Sequence, residues 1–250
     1  MQLNISRLFI AAALSAASLA LSGLAANAQS IGINFSATTH TLAAADQPGI
    51  VPGANWNNIA GGSASNVALN NNSGTASGAL LTINGGSPFA GYSVPSTANA
   101  ATNTLYRGGL GGSNTGAGEV SISLTNIPFA VYDVYVFASQ DTTATNTLSV
   151  TDSITTFYYR SGGATNAGAA SLLQTTSTNV LAPTVGQAQY QLFTGKTGST
   201  FTLTTGGSLT GQISNNVFGV QVVAVPESGS LALVLPALGV LGAMVVRRKK

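Results

Sequence analysis

The chain has 250 residues, 6% of them charged and 30 of them glycine, enough for one ordinary domain with flanking segments. It contains no cysteine, which excludes a disulfide framework and any thiolate metal site. From Gln29 to Val225 three basic residues (Arg107, Arg160, Lys196) stand against five acidic ones (Asp46, Glu119, Asp133, Asp141, Asp152). That balance of −2 lacks the basic stripe that binding to a phosphate backbone requires, so nucleic acid is not an expected partner.

Residues 1–28 read as a secretory signal peptide. Arg7 supplies the positive start, Leu8 to Leu21 the apolar run, and Ala26-Asn27-Ala28 a small-x-small cleavage site that would leave Gln29 as the first mature residue. Ile31 to Ser36 opens an ectodomain over 29–224. His40, the lone histidine, cannot build a histidine metal cluster within one chain and reads as a pendant surface residue.

Asp46 to Asn58 ends in Asn55-Trp56-Asn57-Asn58 around the single tryptophan. This run is the candidate ligand-binding site, with an indole face for a sugar ring and Asn55, Asn57 and Asn58 as amide donors beside it. The same run is also compatible with a packing tryptophan whose asparagines serve turns. Tyr92, Tyr106, Tyr158 and Tyr159 are secondary stacking candidates.

Glu119 to Thr125 alternates strictly, placing Val120, Ile122 and Leu124 on one face, and Thr200 to Thr204 puts Phe201 and Leu203 inward. Val131 to Ala138 is apolar on both faces and predicts a central strand. Ile154 to Arg160, Gln189 to Thr194 and Val217 to Val225 predict further strands, with no useful helical periodicity between them. The pattern predicts an all-β fold, an antiparallel sandwich or jelly roll. No fixed-period repeat occurs, which argues against a solenoid and against a regular threonine ice-binding ladder.

The carboxylates are scattered, without Asp-x-Asp spacing, and no Gly-x-Ser-x-Gly occurs, so no catalytic residues and no metal site are assigned. A loop-bound structural calcium is the one cofactor the carboxylates leave open. Arg107, Arg160 and Lys196 fit an acidic polysaccharide or plain solvated edge charges.

Ser228 to Val246 is free of charge and lies between Glu227 and the terminal Arg247-Arg248-Lys249-Lys250. As a helix it would reach roughly 28 Å, close to the thickness of bilayer hydrocarbon. It predicts a transmembrane helix over 228–246, with the basic tail 247–250 on the cytoplasmic side.

Val225-Pro226-Glu227-Ser228, the apolar stretch and the basic tail together resemble the PEP-CTERM sorting signal of Gram-negative, exopolysaccharide-producing bacteria. Ser228 replaces the second proline of the commonest form. A similar tail also carries an ice-binding-protein C-terminal label, which describes the anchor. Upstream, Asn34-Phe35, Gly49 to Pro52, Asn55 to Asn58, Tyr132 to Tyr135 and Phe218 to Val223 resemble stretches of PEP-CTERM surface proteins. At fold level the pattern is similar to galactose-binding-like sandwiches, which leaves function open.

The resemblance implies an exported protein at the cell envelope or outer surface, held by an inner-membrane anchor until an exosortase-type enzyme processes it. Its expected role is non-enzymatic, in contact with exopolysaccharide. A carbohydrate-binding module with a defined sugar site is the alternative, ahead of a polysaccharide hydrolase or an ice-binding protein.

Overall fold

The computed structural model describes residues 28–36, 39–111, 120–140, 147–160, 166–206 and 215–226. The expected signal peptide up to residue 27, Glu119, Asp141 and the sorting signal from Glu227 onward lie outside the described residues. Among the described residues no helix is long and apolar enough to cross a membrane.

Two β-sheets face each other. The first has β11 (Leu173–Thr175), β13 (Gln189–Thr197), β8 (Val131–Ser139), β15 (Asn216–Ala224), β1 (Ser30–Phe35) and β2 (Asn57–Ile59) in spatial order. A ribbon of β5 (Ser87–Ala90) and β6 (Gly108–Gly111) joins it beside the start of β15. The second has β12 (Thr184–Val185), β10 (Thr156–Arg160), β9 (Leu148–Thr151), β14 (Phe201–Gly206), β7 (Ser121–Thr125), β4 (Ala76–Asn84) and β3 (Ala64–Asn70).

The sandwich follows from the alternation. Val120, Ile122 and Leu124 are all buried, as are Phe201 and Leu203 on the neighbouring β14. They meet Tyr132, Val134, Val136 and Ala138 of β8 and Val220 and Val222 of β15 across the inter-sheet core. Apolar area removed from water, at about 25 cal/mol per Å², drives this closure. β8 sits between β13 and β15, the central position its two-sided apolarity predicts.

The sheets are mixed rather than purely antiparallel. β1–β2, β10–β12 and β11–β13 pair in parallel. β2, β11 and β12 are all two- or three-residue strands at sheet edges. Strands that short carry no period-2 signal, and they close open edges that would otherwise offer unpaired backbone groups.

The middle of the first sheet is buried on both faces. Every residue of β1 and all of β15 except Ala224 is buried. Its far side carries a second apolar layer made of Leu42, Trp56, Leu105, Tyr106, Phe137 and Phe218. This layer is built by the long connection after β1 and by α1 (Ala100–Leu105), a six-residue helix between β5 and β6. Asn99 caps α1, its Oδ1 accepting from Thr102 N at 3.1 Å, while its Nδ2 ties the cap to Gln47 O at 2.8 Å.

Among the described residues one ion pair bridges the sheets. Lys196 Nζ of β13 lies 2.5 Å from Asp152 Oδ2, at the end of β9. Burial pushes the Asp152 carboxyl up. The hydrogen bond from Lys196, the amides of Thr155 and Ile154, and the lysine charge outweigh burial and hold it below its ordinary value of 3.8. A lowered carboxyl contributes stability above the unfolded value, and that contribution disappears as pH falls through the folded one. Asp152→Asn is therefore expected to lower stability by about 1 kcal/mol or more at neutral pH. Thermal unfolding of parent and variant from pH 7 to pH 2 checks this, since the gap should close only in acid, below the ordinary aspartate range. A gap that persists unchanged at low pH would assign the loss to packing instead.

Candidate functional site

The Asn55-Trp56-Asn57-Asn58 run, the candidate sugar platform, is built into the fold. Trp56 is 5% exposed. Its indole lies on β1 and β15, over Gly32 and Gly219, with Phe137 at 6.0 Å between centroids. A Cβ on Gly32 would sit 2.6 Å from Cε2 and 2.8 Å from Cγ of the ring, so only glycine leaves room for it there. The indole N–H donates to Gly53 O at 2.8 Å, which satisfies its one polar atom. The π-face is core packing and is not offered to a ligand.

The flanking amides are likewise occupied within the chain. Asn55, in the left-handed region at φ 54°, donates from Nδ2 to Asn72 O at 2.9 Å. Asn57 joins the two sheets: Nδ2 donates to Gly32 O of β1 and Asn70 O of β3, both at 2.9 Å, and Oδ1 accepts from Asn70 N at 2.8 Å. Asn58 Oδ1 accepts from Asn34 Nδ2 and Leu42 N, both at 2.8 Å, and its Nδ2 donates to Leu42 O at 2.9 Å. The four residues form a clip that closes the loop over the first sheet.

The tyrosine candidates divide. Tyr106 and Tyr159 are fully buried, with hydroxyls donating to Gln189 O and to Asn215 Oδ1. Burial drives both phenols upward, the neighbouring Tyr159 and Tyr190 adding to the effect at Tyr106. Neither is a stacking surface. Tyr92 is half-buried against Phe89, at 3.9 Å between centroids, and Tyr158 is half-buried on β10.

The described carboxylates serve the backbone. Asp46 Oδ2 accepts from Ala43 N and Asp133 Oδ1 from Gly195 N, each at 2.8 Å, and Asp152 holds Lys196. Among the described residues no three histidine, aspartate or glutamate side chains gather as a metal site would need.

Two surfaces remain that sequence reasoning did not assemble. The first is the outer face of the second sheet. Cross-strand register aligns Thr156, Thr151, Thr204, Ser121 and Asn84 in one row over five strands. Thr202, Ser123 and Thr82 form a second row beside it. Adjacent strands are about 4.8 Å apart, and β-branched threonines are stiff at χ1, so the rows present hydroxyls at a fixed spacing. Some of these groups touch: Ser123 Oγ lies 3.1 Å from Thr202 Oγ1, and Thr156 Oγ1 donates to Thr151 Oγ1 at 2.9 Å. Neither row contains a charge. Along one strand the signal is only the Thr202-x-Thr204 pair; the lateral rows need the register.

The second is an open cleft of about 440 Å³ beside α1, lined by both His40 and Arg107. Thr39, Thr41, Asn103 and Thr104 line it with them.

The boundary residues of the expected processing sites also come together. Gln29 O accepts from Ala224 N at 2.8 Å, Asn72 Nδ2 donates to Ala28 O at 3.2 Å, and Val225 N donates to Val131 O at 2.9 Å. The Ala28–Gln29 link and Val225-Pro226 thus leave the sandwich from the same spot.

No protein-family model matches the chain, and no curated protein matches it. Among solved structures, similarity is found to a crystal structure of exo-beta-1,3-galactanase from Phanerochaete chrysosporium with galactose. The two are 12% identical with a TM-score of 0.27, over 60% of this chain and 31% of that one. A likeness of that size carries no argument, and the class the structure itself defines is an all-β sandwich of two mixed sheets.

Proposed function

We propose that the chain is an exported, non-enzymatic surface protein whose sandwich associates with exopolysaccharide. The observation that carries this reading is the outer face of the second sheet, where two uncharged rows of hydroxyl and amide groups run across the strands. Hydroxyls at fixed spacing can each donate and accept, which suits a repeating polymer of hydroxyl groups. The galactose-binding-like jelly roll belongs to this reading as the expected topology, and the PEP-CTERM-like tail as the expected route to the envelope through an exosortase-type enzyme.

The experiment expresses the full chain in an exopolysaccharide-producing Gram-negative host and recovers it from envelope and matrix. The mature N-terminus is expected at Gln29. A Thr82→Val, Ser123→Ala, Thr202→Val variant, which keeps the sheet and removes one row of hydroxyls, is expected to shift from matrix to soluble fractions by several-fold. An intact Met1 start would sink the export claim, and unchanged partition of a folded triple variant would sink the role of the face.

A further inference from the structure

We propose that the cleft lined by His40 and Arg107 binds a carboxylate-bearing sugar unit of an acidic polysaccharide. This deepens the reading of the chain as a polysaccharide-associated protein and rests on it.

The convergence is the first argument. Residues 29–225 hold three lysines and arginines and one histidine, and two of these four line one cleft from distant points of the chain. Among the described residues no carboxylate lines it. The second argument is availability. Lys196 is engaged by Asp152, whereas Arg107 is exposed and has no carboxylate at ion-pair distance among the described residues. An arginine fork matches a carboxylate in two parallel hydrogen bonds, a geometry that lysine cannot reproduce.

The third argument is preorganisation. Arg107 follows α1, and its backbone is fixed on both sides: its N donates to Thr104 O and its O accepts from Gly91 N, each at 3.0 Å. Asn103 is locked by Thr97, its Oδ1 accepting from Thr97 Oγ1 at 2.6 Å and its Nδ2 donating to Thr97 O at 3.0 Å. At His40, the fully buried Asn34 donates to the backbone O at 3.1 Å and fixes that segment of the lining. Thr39 and Thr41 flank His40 as exposed hydroxyls, suited to the hydroxyls of a sugar ring. The volume falls within the range of small-ligand clefts, about 300–1,000 Å³. Its open side suits one unit within a longer polymer.

The test uses the full chain in mild detergent with three probes: a galacturonate oligosaccharide, an uncharged galactose oligosaccharide and dextran sulfate. The parent is expected to bind the galacturonate probe in preference to the neutral one. Arg107→Gln is expected to weaken galacturonate binding about tenfold or more, and His40→Gln by a smaller factor, with unchanged melting temperatures. Unchanged affinity in Arg107→Gln would overturn the proposal. So would dextran sulfate competing as well as galacturonate, which would mean attraction to any polyanion. Binding of the neutral oligosaccharide alone would overturn the cleft while leaving the polysaccharide reading intact, and binding of neither saccharide would remove both.

Discussion

Trp56→Ala is expected to destabilise the fold by about 3–5 kcal/mol, the range for emptying a buried aromatic site. The indole has Gly32 and Gly219 beneath it, Phe137 beside it and Gly53 O on its nitrogen, so the cavity has rigid walls and little can collapse into it. Chemical unfolding followed by far-UV circular dichroism measures the loss. The parent's fluorescence gives an independent reading, because Trp56 is the single tryptophan. Its emission is expected to be blue-shifted, poorly quenched by acrylamide and insensitive to added polysaccharide. A variant within about 0.5 kcal/mol of the parent, the scale of an ordinary surface substitution, would place the ring outside the core.

Gly32→Ala is the complementary change and is expected to cost about 3 kcal/mol, the upper part of the overpacking range. A methyl group there meets three indole atoms at once, and the ring cannot slide because its N–H is tied to Gly53. The decisive measurement is the double variant. With Trp56 truncated, the space above Gly32 is empty, so Gly32→Ala in the Trp56→Ala background should cost at least about 1 kcal/mol less than in the parent. Strict additivity would show that the two residues do not share the contact.

Several of the long strands were legible in the sequence because their chemistry is local, whereas β3 (Ala64–Asn70) and β4 (Ala76–Asn84) were not predicted. Val120, Ile122 and Leu124 announce an inner face by alternation, and Val131 to Ala138 announces a central strand by being apolar on both sides. The two-residue β12 and the six-residue α1 announce nothing, since neither is long enough to show a period. The asparagine run misleads for a different reason. Its amides are visible in the sequence, but the groups that occupy them (Gly32, Asn34, Leu42, Asn70, Asn72) are brought to it by the fold. The shared cleft of His40 and Arg107 and the lateral hydroxyl rows are likewise products of register and loop path, which composition does not encode.

The bond from Ala224 N to Gln29 O has a mechanical consequence. β15 lies between β8 on one side and β1 with β6 on the other, and its last residues adjoin the first residues of β1. Tension between residues 28 and 226 would part β1 from β15 pair by pair, a peeling load that breaks one hydrogen bond at a time. Tension between residue 226 and a polymer gripped on the far sheet would instead draw β15 along its own axis, straining both of its ladders together. Were the proposed leader cleaved after Ala28 and the chain held by its C-terminal segment, the pull on the sandwich would be of the second kind, and the last strand would resist it in shear.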